Sequence, residues 1–357
     1  MHSKAISISV RSRIFWLRKS RTSYARTRST AFLAAIAVFA HFAAAAADPT
    51  KLRIAWVTTT DGPLLLLKKG IAQHEGVSYT IEPIHFQGSP PIITALAAGD
   101  VDLAGMGFST FPIAVQNAGL TDVRIIADGF QDGIPGYYSN TFLVRRDSPV
   151  RSVEDMKGRV AATNATGSAI DITLRAIFRK LGINDKRDVT ILEAAFPNMV
   201  SMLQSHKVDL IPATQPDINN PAVLAWARPI FGQADSLGPS QMAFLSARQG
   251  FLEKNRAAMV DYLEDELRSV RWFFDPAHHD EAVKIMADWS KVPVSQFTGW
   301  MFTKERDFYH DPDGRPNLEA LQNNIEVERQ LGLIKSDVDA KRFADLSYIQ
   351  EAASRLK

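Results

Sequence analysis

The chain contains no cysteine among its 357 residues. This absence excludes disulfide bonds, a lipid-modified cysteine, a cysteine nucleophile and any metal site with thiolate ligands. Long apolar runs are also scarce, because only residues 31–47 approach the roughly 20 apolar residues that a membrane span needs. With 46 % hydrophobic and 22 % charged residues, the composition excludes disorder and supplies one large core or two ordinary ones.

Acidic residues are missing from the first 47 positions, which carry eight lysines and arginines. The whole chain has 41 Lys and Arg against 39 Asp and Glu, so the remainder carries 33 basic and 39 acidic side chains. Its net charge is therefore −6. Because phosphate contacts need clustered basic side chains, we expect no nucleic-acid partner.

The amino-terminal segment has the layout of a secretory signal peptide. A basic region ends at Arg28, the alanine-rich apolar run at 31–47 follows it, and Asp48-Pro49 comes next. This order predicts a signal peptide at 1–47, cleavage after Ala47 and a periplasmic mature protein. An uncleaved membrane anchor is the alternative, but the small residues at the end of the run favour cleavage.

Two series of strand-length apolar runs alternate with segments of helical periodicity from Lys51 onward. The first series predicts strands at 52–57, 79–86 and 101–105, with helices at 62–69 and 91–98. The second predicts strands at 159–163, 189–196 and 208–212, with helices at 168–181 and 198–206. This alternation is typical of βαβ units, so we predict an α/β fold of two lobes, each with a mostly parallel sheet flanked by helices.

A short internal repeat links the two series. Val101-Asp102-Leu103 recurs as Val208-Asp209-Leu210, and Leu96 and Leu203 stand five positions ahead of them. Both copies lie where a predicted helix leads into the third strand of its series. The repeat predicts two lobes of similar plan.

Two strand-like runs, at 142–146 and 242–246, are interpreted as the crossings between the lobes. Lobe 1 would then comprise residues 48–141 and 245–357, and lobe 2 would comprise residues 142–244. A two-strand hinge of this kind permits closure, and a cleft between lobes is a common ligand site.

The order and spacing of four motifs resemble the solute-binding proteins of nitrate/sulfonate/taurine-type ABC importers, and also thiamine-precursor-binding proteins. The motifs are Leu52-Arg53-Ile54-Ala55, residues 95–104, Phe142-Leu143-Val144 with Asp147-Ser148-Pro149, and residues 153–161. The resemblance implies a two-lobed periplasmic-binding-protein fold and a monomeric receptor. Its partners would be a small-molecule ligand, a membrane permease and the ATPase of that permease. Residues 212–217 depart from the Trp-x-Pro-type segment of many relatives, which leaves the ligand open.

Ligands of parallel α/β lobes lie beyond the carboxyl ends of the strands, where helices present free N–H groups. The loops there are rich in Gly, Ser, Thr and Asn, and Ser89, Ser109 and Thr166 match ligand-loop positions in the resembled family. The predicted ligand-binding residues are Thr59, Thr60, Asp61, Gln87, Ser89, Phe108, Ser109, Thr110, Tyr137, Thr166, Gly167, Ser168, Asn198 and Thr214. The alternatives are that the polar residues only cap helices and that the aromatic residues belong to the core.

These features predict a receptor for a small organic anion, a sulfonate or a carboxylate with or without an aromatic body. We expect no catalytic residue, no metal and no cofactor. Two alternatives stay open: a receptor for the pyrimidine precursor of thiamine, and a cofactor-dependent enzyme on the same fold. Pyrimidine-precursor synthases of the resembled fold use a cysteine-rich motif, which this chain lacks.

Overall fold

The structure is a computed structural model that describes residues 48–56, 70–86, 89–215 and 217–357, without the side chains at 89 and 90. The predicted signal peptide at 1–47 and the predicted helix at 62–69 lie outside the described residues. Within the described part, none of the helices has the length and apolar character required for a membrane span.

The first sheet has five strands in the order β2-β1-β3-β10-β4. They are β1 (Thr50–Trp56), β2 (Tyr79–His85), β3 (Leu103–Met106), β4 (Val123–Asp132) and β10 (Ser240–Arg248). β1 runs parallel to β2 and β3, whereas β10 is antiparallel to both β3 and β4. Leu52, Ile54 and Leu103 are buried, as expected of a sheet that helices cover on both faces.

The remaining strands form a three-stranded sheet in the order β8-β5-β9 and a two-stranded sheet of β6 and β7, which together repeat this plan and are called the second sheet. The strands are β5 (Thr141–Arg145), β6 (Val160–Thr163), β7 (Thr190–Glu193), β8 (Ile211–Ala213) and β9 (Ala227–Gly232). β5 is antiparallel to β8 and β9, and β6 is parallel to β7. A parallel bridge between Ala161 and Leu210 joins β6 to the start of β8. The resulting order, β7-β6-β8-β5-β9, matches that of the first sheet and confirms the predicted repeat.

Eleven helices connect and cover the sheets in the described part of the chain. They are α1 (Ser89–Ala98), α2 (Phe111–Asn117), α3 (Ala169–Lys180), α4 (Phe196–Gln204), α5 (Pro221–Leu224), α6 (Gln233–Leu237), α7 (Gln249–Lys254), α8 (Arg256–Phe273), α9 (His279–Ser290), α10 (Leu318–Gln330) and α11 (Ser347–Ser354). In α3, Ile170, Leu174 and Ile177 lie on one face and are buried, which is the spacing of an amphipathic helix.

Each sheet has a hydrophobic core on both faces. α1, α2 and α10 pack on one face of the first sheet around Phe111 and Ile325, and α8 and α11 pack on the other around Leu263. The second sheet is covered by α3 on one side and by α4 and α5 on the other, around Phe178 and Met199.

Many predicted boundaries differ from the structure by up to three residues, and two differences affect the connections between elements. The runs at 142–146 and 242–246 are strands within the sheets, and the chain passes between the sheets just before each of them, at 133–140 and 233–239. α4 begins at Phe196 rather than at 198, because Pro197 fits the first turn of a helix and ends the preceding strand early.

Candidate functional site

The loop that follows β6 forms the amino-terminal cap of α3. The Ser168 hydroxyl accepts the N–H of Asp171 at 3.2 Å and donates to the side-chain oxygen of Asn164 at 2.7 Å. The Gly167 N–H donates to Asp171 Oδ2 at 2.9 Å. These polar groups therefore have partners within the loop and the first turn of α3, as helix-capping groups do.

Thr166 contacts a carboxylate that sequence analysis did not single out. Its N–H donates to Glu193 Oε1 at 2.8 Å, and both residues are exposed. Hydrogen bonds from the Thr166 side chain and N–H lower the pKa of Glu193. Glu193 is the last residue of β7, so the rule that ligands meet the carboxyl ends of strands would have identified it.

The amino-terminal end of α3 is therefore already close to two carboxylates. Asp171 is fully buried and accepts a hydrogen bond from Arg175 at 2.8 Å. Arg175 also donates to Asp185 at 2.9 Å, so Asp171 belongs to a structural ion network. Glu193 is exposed and has no ion-pair partner within the described ranges, which leaves its charge available to a ligand.

In the first sheet, the loop after β3 is packed rather than open. Phe108 is fully buried in the core, and Ser109 and Thr110 are each 7 % exposed. The Thr110 hydroxyl accepts the N–H of Gly107 at 3.3 Å and closes the turn before α2. A Cβ at Gly107 would lie 2.8 Å from the Met242 carbonyl oxygen, so glycine permits the close approach of β10. The core alternative describes Phe108 in this structure.

The remaining predicted ligand-binding residues lie partly outside the described residues and partly at the ends of strands. Thr59, Thr60, Asp61 and Gln87 lie outside the described residues, and Ser89 is the first residue of α1. Asn198 is exposed in the first turn of α4, and Thr214 is half-buried just after β8. The structure thus places Thr166, Asn198 and Thr214 after the three neighbouring strands β6, β7 and β8.

Tyr137 lies in the first connection between the sheets and contacts a carboxyl-terminal segment. Its ring is 5.0 Å from that of Tyr309 in an edge-on arrangement, and Lys304 Nζ is 5.9 Å from its centre. The Gln215 side chain, which follows Thr214, donates to the Arg306 carbonyl at 2.7 Å. Residues 304–309 therefore touch both the connection and a strand-end loop, and no local sequence signal indicated this.

One group of side chains in the described part has the composition of a metal site. Potential ligand atoms of His74, Asp261 and Glu264 lie within 4.8 Å of one another. Arg355 donates to Asp261 at 2.8 Å, and Arg268 donates to Glu264. Because two guanidinium groups already balance the carboxylates, the cluster is a poor cation site.

A family model described as NMT1-like matches residues 45–287 of the chain. The chain belongs to the NMT1-like family. This NMT1-like protein is also 28 % identical over 140 residues to an Escherichia coli (strain K12) protein named for aliphatic-sulfonate binding. That match covers 39 % of the chain and 42 % of the relative.

Solved structures confirm the predicted two-lobe fold class. The periplasmic aliphatic sulphonate binding protein SsuA from Escherichia coli matches the NMT1-like chain with a TM-score of 0.66 and 19 % identity, covering 83 % of this chain and 97 % of SsuA. The desulfurization enzyme DSZB matches with a TM-score of 0.62 and 16 % identity, covering 86 % of this chain and all of DSZB. The fold is therefore shared by binding proteins and by an enzyme.

Proposed function

We propose that the protein is the extracytoplasmic solute-binding receptor of an ABC importer and captures a small organic anion, a sulfonate or a carboxylate, between two lobes. The observation that carries the proposal is the pair of sheets with one strand order, the second of which has polar residues after three neighbouring strand ends. The match to a protein named for aliphatic-sulfonate binding supports the ligand class.

In this proposal lobe 1 is built on the first sheet, residues 48–132 with 240–357, and lobe 2 on the second sheet, residues 141–232. Two connections between the sheets, at 133–140 and 233–239, would act as the hinge. Arg179 of α3 donates to the carbonyls of Gln330 and Leu331 at 3.1 and 3.3 Å. These bonds supply a contact between lobes that closure would strengthen or replace.

The proposed site comprises the strand-end loops of both lobes. Thr166, Asn198 and Thr214 would supply hydroxyl and amide groups from lobe 2, and Ser89 and Ser109 would contribute from lobe 1. Tyr137 at the hinge offers an aromatic face to a ligand with a flat body. We also propose that the mature protein is periplasmic and monomeric, is not an enzyme, and delivers its ligand to a permease powered by an ATPase.

Glu193 favours a second candidate ligand. An exposed carboxylate beside Thr166 repels an anion but accepts hydrogen bonds from amino and ring N–H groups. The pyrimidine precursor of thiamine carries such an amino group. For an anionic ligand, Glu193 would have to leave the Thr166 N–H before a sulfonate oxygen could take its place.

One pair of variants separates the two candidates. Calorimetric titration of the purified chain would use alkane- and benzenesulfonates, carboxylates and an aminopyrimidine. Glu193→Gln removes the charge and keeps the shape, so it should raise the affinity for an anion about tenfold or lower the affinity for the aminopyrimidine by a similar factor. Glu154→Gln is the control, because Glu154 is exposed and precedes β6 at the opposite end of the sheet.

Each outcome of this titration is informative. Binding of a sulfonate or carboxylate that strengthens in Glu193→Gln supports the anion receptor. Binding of the aminopyrimidine that weakens in the same variant assigns the second candidate. If no acid or aminopyrimidine binds, or if any of them is converted to product during the titration, the receptor proposal is wrong.

A further inference from the structure

A pocket of about 140 Å³ lies in the hydrophobic core between the first sheet and α8, away from the strand-end loops. It is bounded by β4 and β10 on one side and by α8 and residues 301–311 on the other. Its walls are mainly apolar and include Ala127, Phe130, Leu263, Leu267, Phe274 and Phe302. An apolar cavity of about 150 Å³ in another protein binds benzene, so this pocket has room for one aromatic ring.

One polar atom in this pocket has no partner. Glu266 Oε2 is shielded from solvent and makes no hydrogen bond with any described residue. Tyr262, one turn earlier on α8, bonds to the Glu266 side chain, and burial raises the pKa of Glu266 to about 7. A buried acceptor without a partner carries a free-energy cost that a donor on a ligand would remove.

The other acidic groups of the pocket are already satisfied. Asp128 accepts from Gln241 at 2.6 Å and from the Asp311 N–H at 2.9 Å. Asp307 accepts from the N–H of Phe302 at 2.7 Å. Of the described residues that line the pocket, none is a lysine or an arginine. The pocket therefore favours a positive charge over a negative one, and Glu266 is its free acceptor.

The pocket is reachable from the surface. It shares Val270, Phe274, Phe308 and His310 with a wider groove that is open to solvent. Burial lowers the pKa of His310 to about 4, so at neutral pH this histidine is uncharged where the pocket meets the groove. The groove also holds Lys304 and Arg271, and the Arg271 guanidinium is paired with Asp313 at 3.0 Å.

We propose that this pocket is a second ligand site, which binds a small aromatic amine with its ring among the apolar side chains and its ammonium group on Glu266. Among the described residues that line the pocket, none is a predicted ligand-binding residue, whereas Tyr137 lines the groove that leads to it. The ion pair would form in a low-dielectric interior, where a charged hydrogen bond is stronger than at the surface.

Benzylamine and benzyl alcohol are matched probes, because they share a ring and differ in charge. In calorimetric titrations of the full chain at neutral pH, benzylamine should bind at least tenfold more tightly than benzyl alcohol. Glu266→Gln should abolish this preference. Glu319→Gln, an exposed position in the first turn of α10, and Thr166→Val in the strand-end loop should both retain it.

A second variant covers the case in which Glu266→Gln fails to fold. Ala127→Leu fills the pocket and keeps Glu266, so it should lose the binding of both probes by tenfold or more. The proposal is overturned if the wild-type chain binds the two probes equally or binds neither. It is also overturned if benzylamine binding survives Ala127→Leu or disappears in Thr166→Val.

Discussion

Asp102 and Asp209 hold equivalent positions in the two sheets. The Asp102 carboxylate joins the start of β3 to β1, and the Asp209 carboxylate joins the start of β8 to β6. Asp102 Oδ2 accepts the N–H of Arg53 at 3.0 Å, and Asp209 Oδ2 accepts the N–H of Val160 at 3.0 Å. The Arg53 guanidinium adds two bonds to Asp102, at 2.9 and 2.6 Å. The repeated Val-Asp-Leu motif thus has a structural cause: the aspartate holds the register of neighbouring strands.

Removal of the two aspartates should have unequal effects. Asp102→Ala should lower the free energy of unfolding by about 2 kcal/mol and Asp209→Ala by about 1 kcal/mol. The Asp102 side chain is 10 % exposed and that of Asp209 is 23 % exposed, so the hydrogen bonds of Asp102 are better shielded from water. Urea unfolding measures both values. Asp100→Ala, at an exposed neighbour, is the control, and an equal loss in all three variants would contradict the interpretation.

Asp265 anchors the segment before β2 to α8. This fully buried carboxylate accepts the N–H groups of Gln73 and His74 at 2.9 and 2.8 Å and the hydroxyl of Tyr79 at 2.8 Å. Asp265→Ala leaves three donors unpaired and should cost about 3 kcal/mol of unfolding free energy, whereas Tyr79→Phe should cost about 1 kcal/mol.

Hydrogen exchange gives the more specific measurement for Asp265. The amides of Gln73 and His74 should exchange faster in Asp265→Ala and remain protected in Tyr79→Phe, because only the first variant removes their acceptor. Unchanged protection of both amides in Asp265→Ala would show that the carboxylate does not hold this segment.

Glu328 should make the protein less stable as pH rises. The side chain is fully buried in α10, neither carboxylate oxygen has a partner among the described residues, and burial raises its pKa to about 9. The folded chain therefore keeps a proton that the unfolded chain loses above its ordinary pKa near 4.3. The contribution of Glu328 to the free energy of unfolding is fully present below about pH 4.3 and is lost progressively as the pH rises towards the folded-state pKa of about 9.

Glu328→Gln tests this pH dependence. The variant should match the wild type near pH 4 and exceed its unfolding free energy by about 4 kcal/mol at pH 7, since one pKa unit corresponds to about 1.4 kcal/mol. Glu326→Gln is the control on the same helix, because Glu326 is paired with Arg329 and its pKa is lowered to about 2. Parallel stability curves for wild type and Glu328→Gln between pH 5 and 8 would refute the assignment.

Local signals in the chain predicted much of the secondary structure. α3 occurs where the apolar spacing and the Ser168 cap placed it, within one residue at each end. The apolar spacing and the cap each involve residues within one or two helical turns of one another, so the sequence alone is enough to predict them. The equivalence of the two sheets was also predicted, because the Asp102 and Asp209 motifs occur at the same point in each series.

The candidate site was predicted less completely. The Glu193 carboxylate reaches Thr166 across 27 positions of the chain, and Phe108 was predicted to bind the ligand, whereas its side chain is buried in the core. Both outcomes depend on how a strand end and its loop pack against other elements. Propensity and periodicity carry no information on such contacts.

The sequence by itself determined the α/β class, the internal repeat and the family. These follow from the periodicity of apolar residues and from short motifs whose order and spacing can be read along the chain. Only the tertiary structure decided that the loop before α3 already contacts the Glu193 carboxylate and that Glu266 Oε2 lies without a partner in an apolar pocket. Burial and pairing depend on residues far apart in the chain, so the charge that each site favours is a property of the folded molecule.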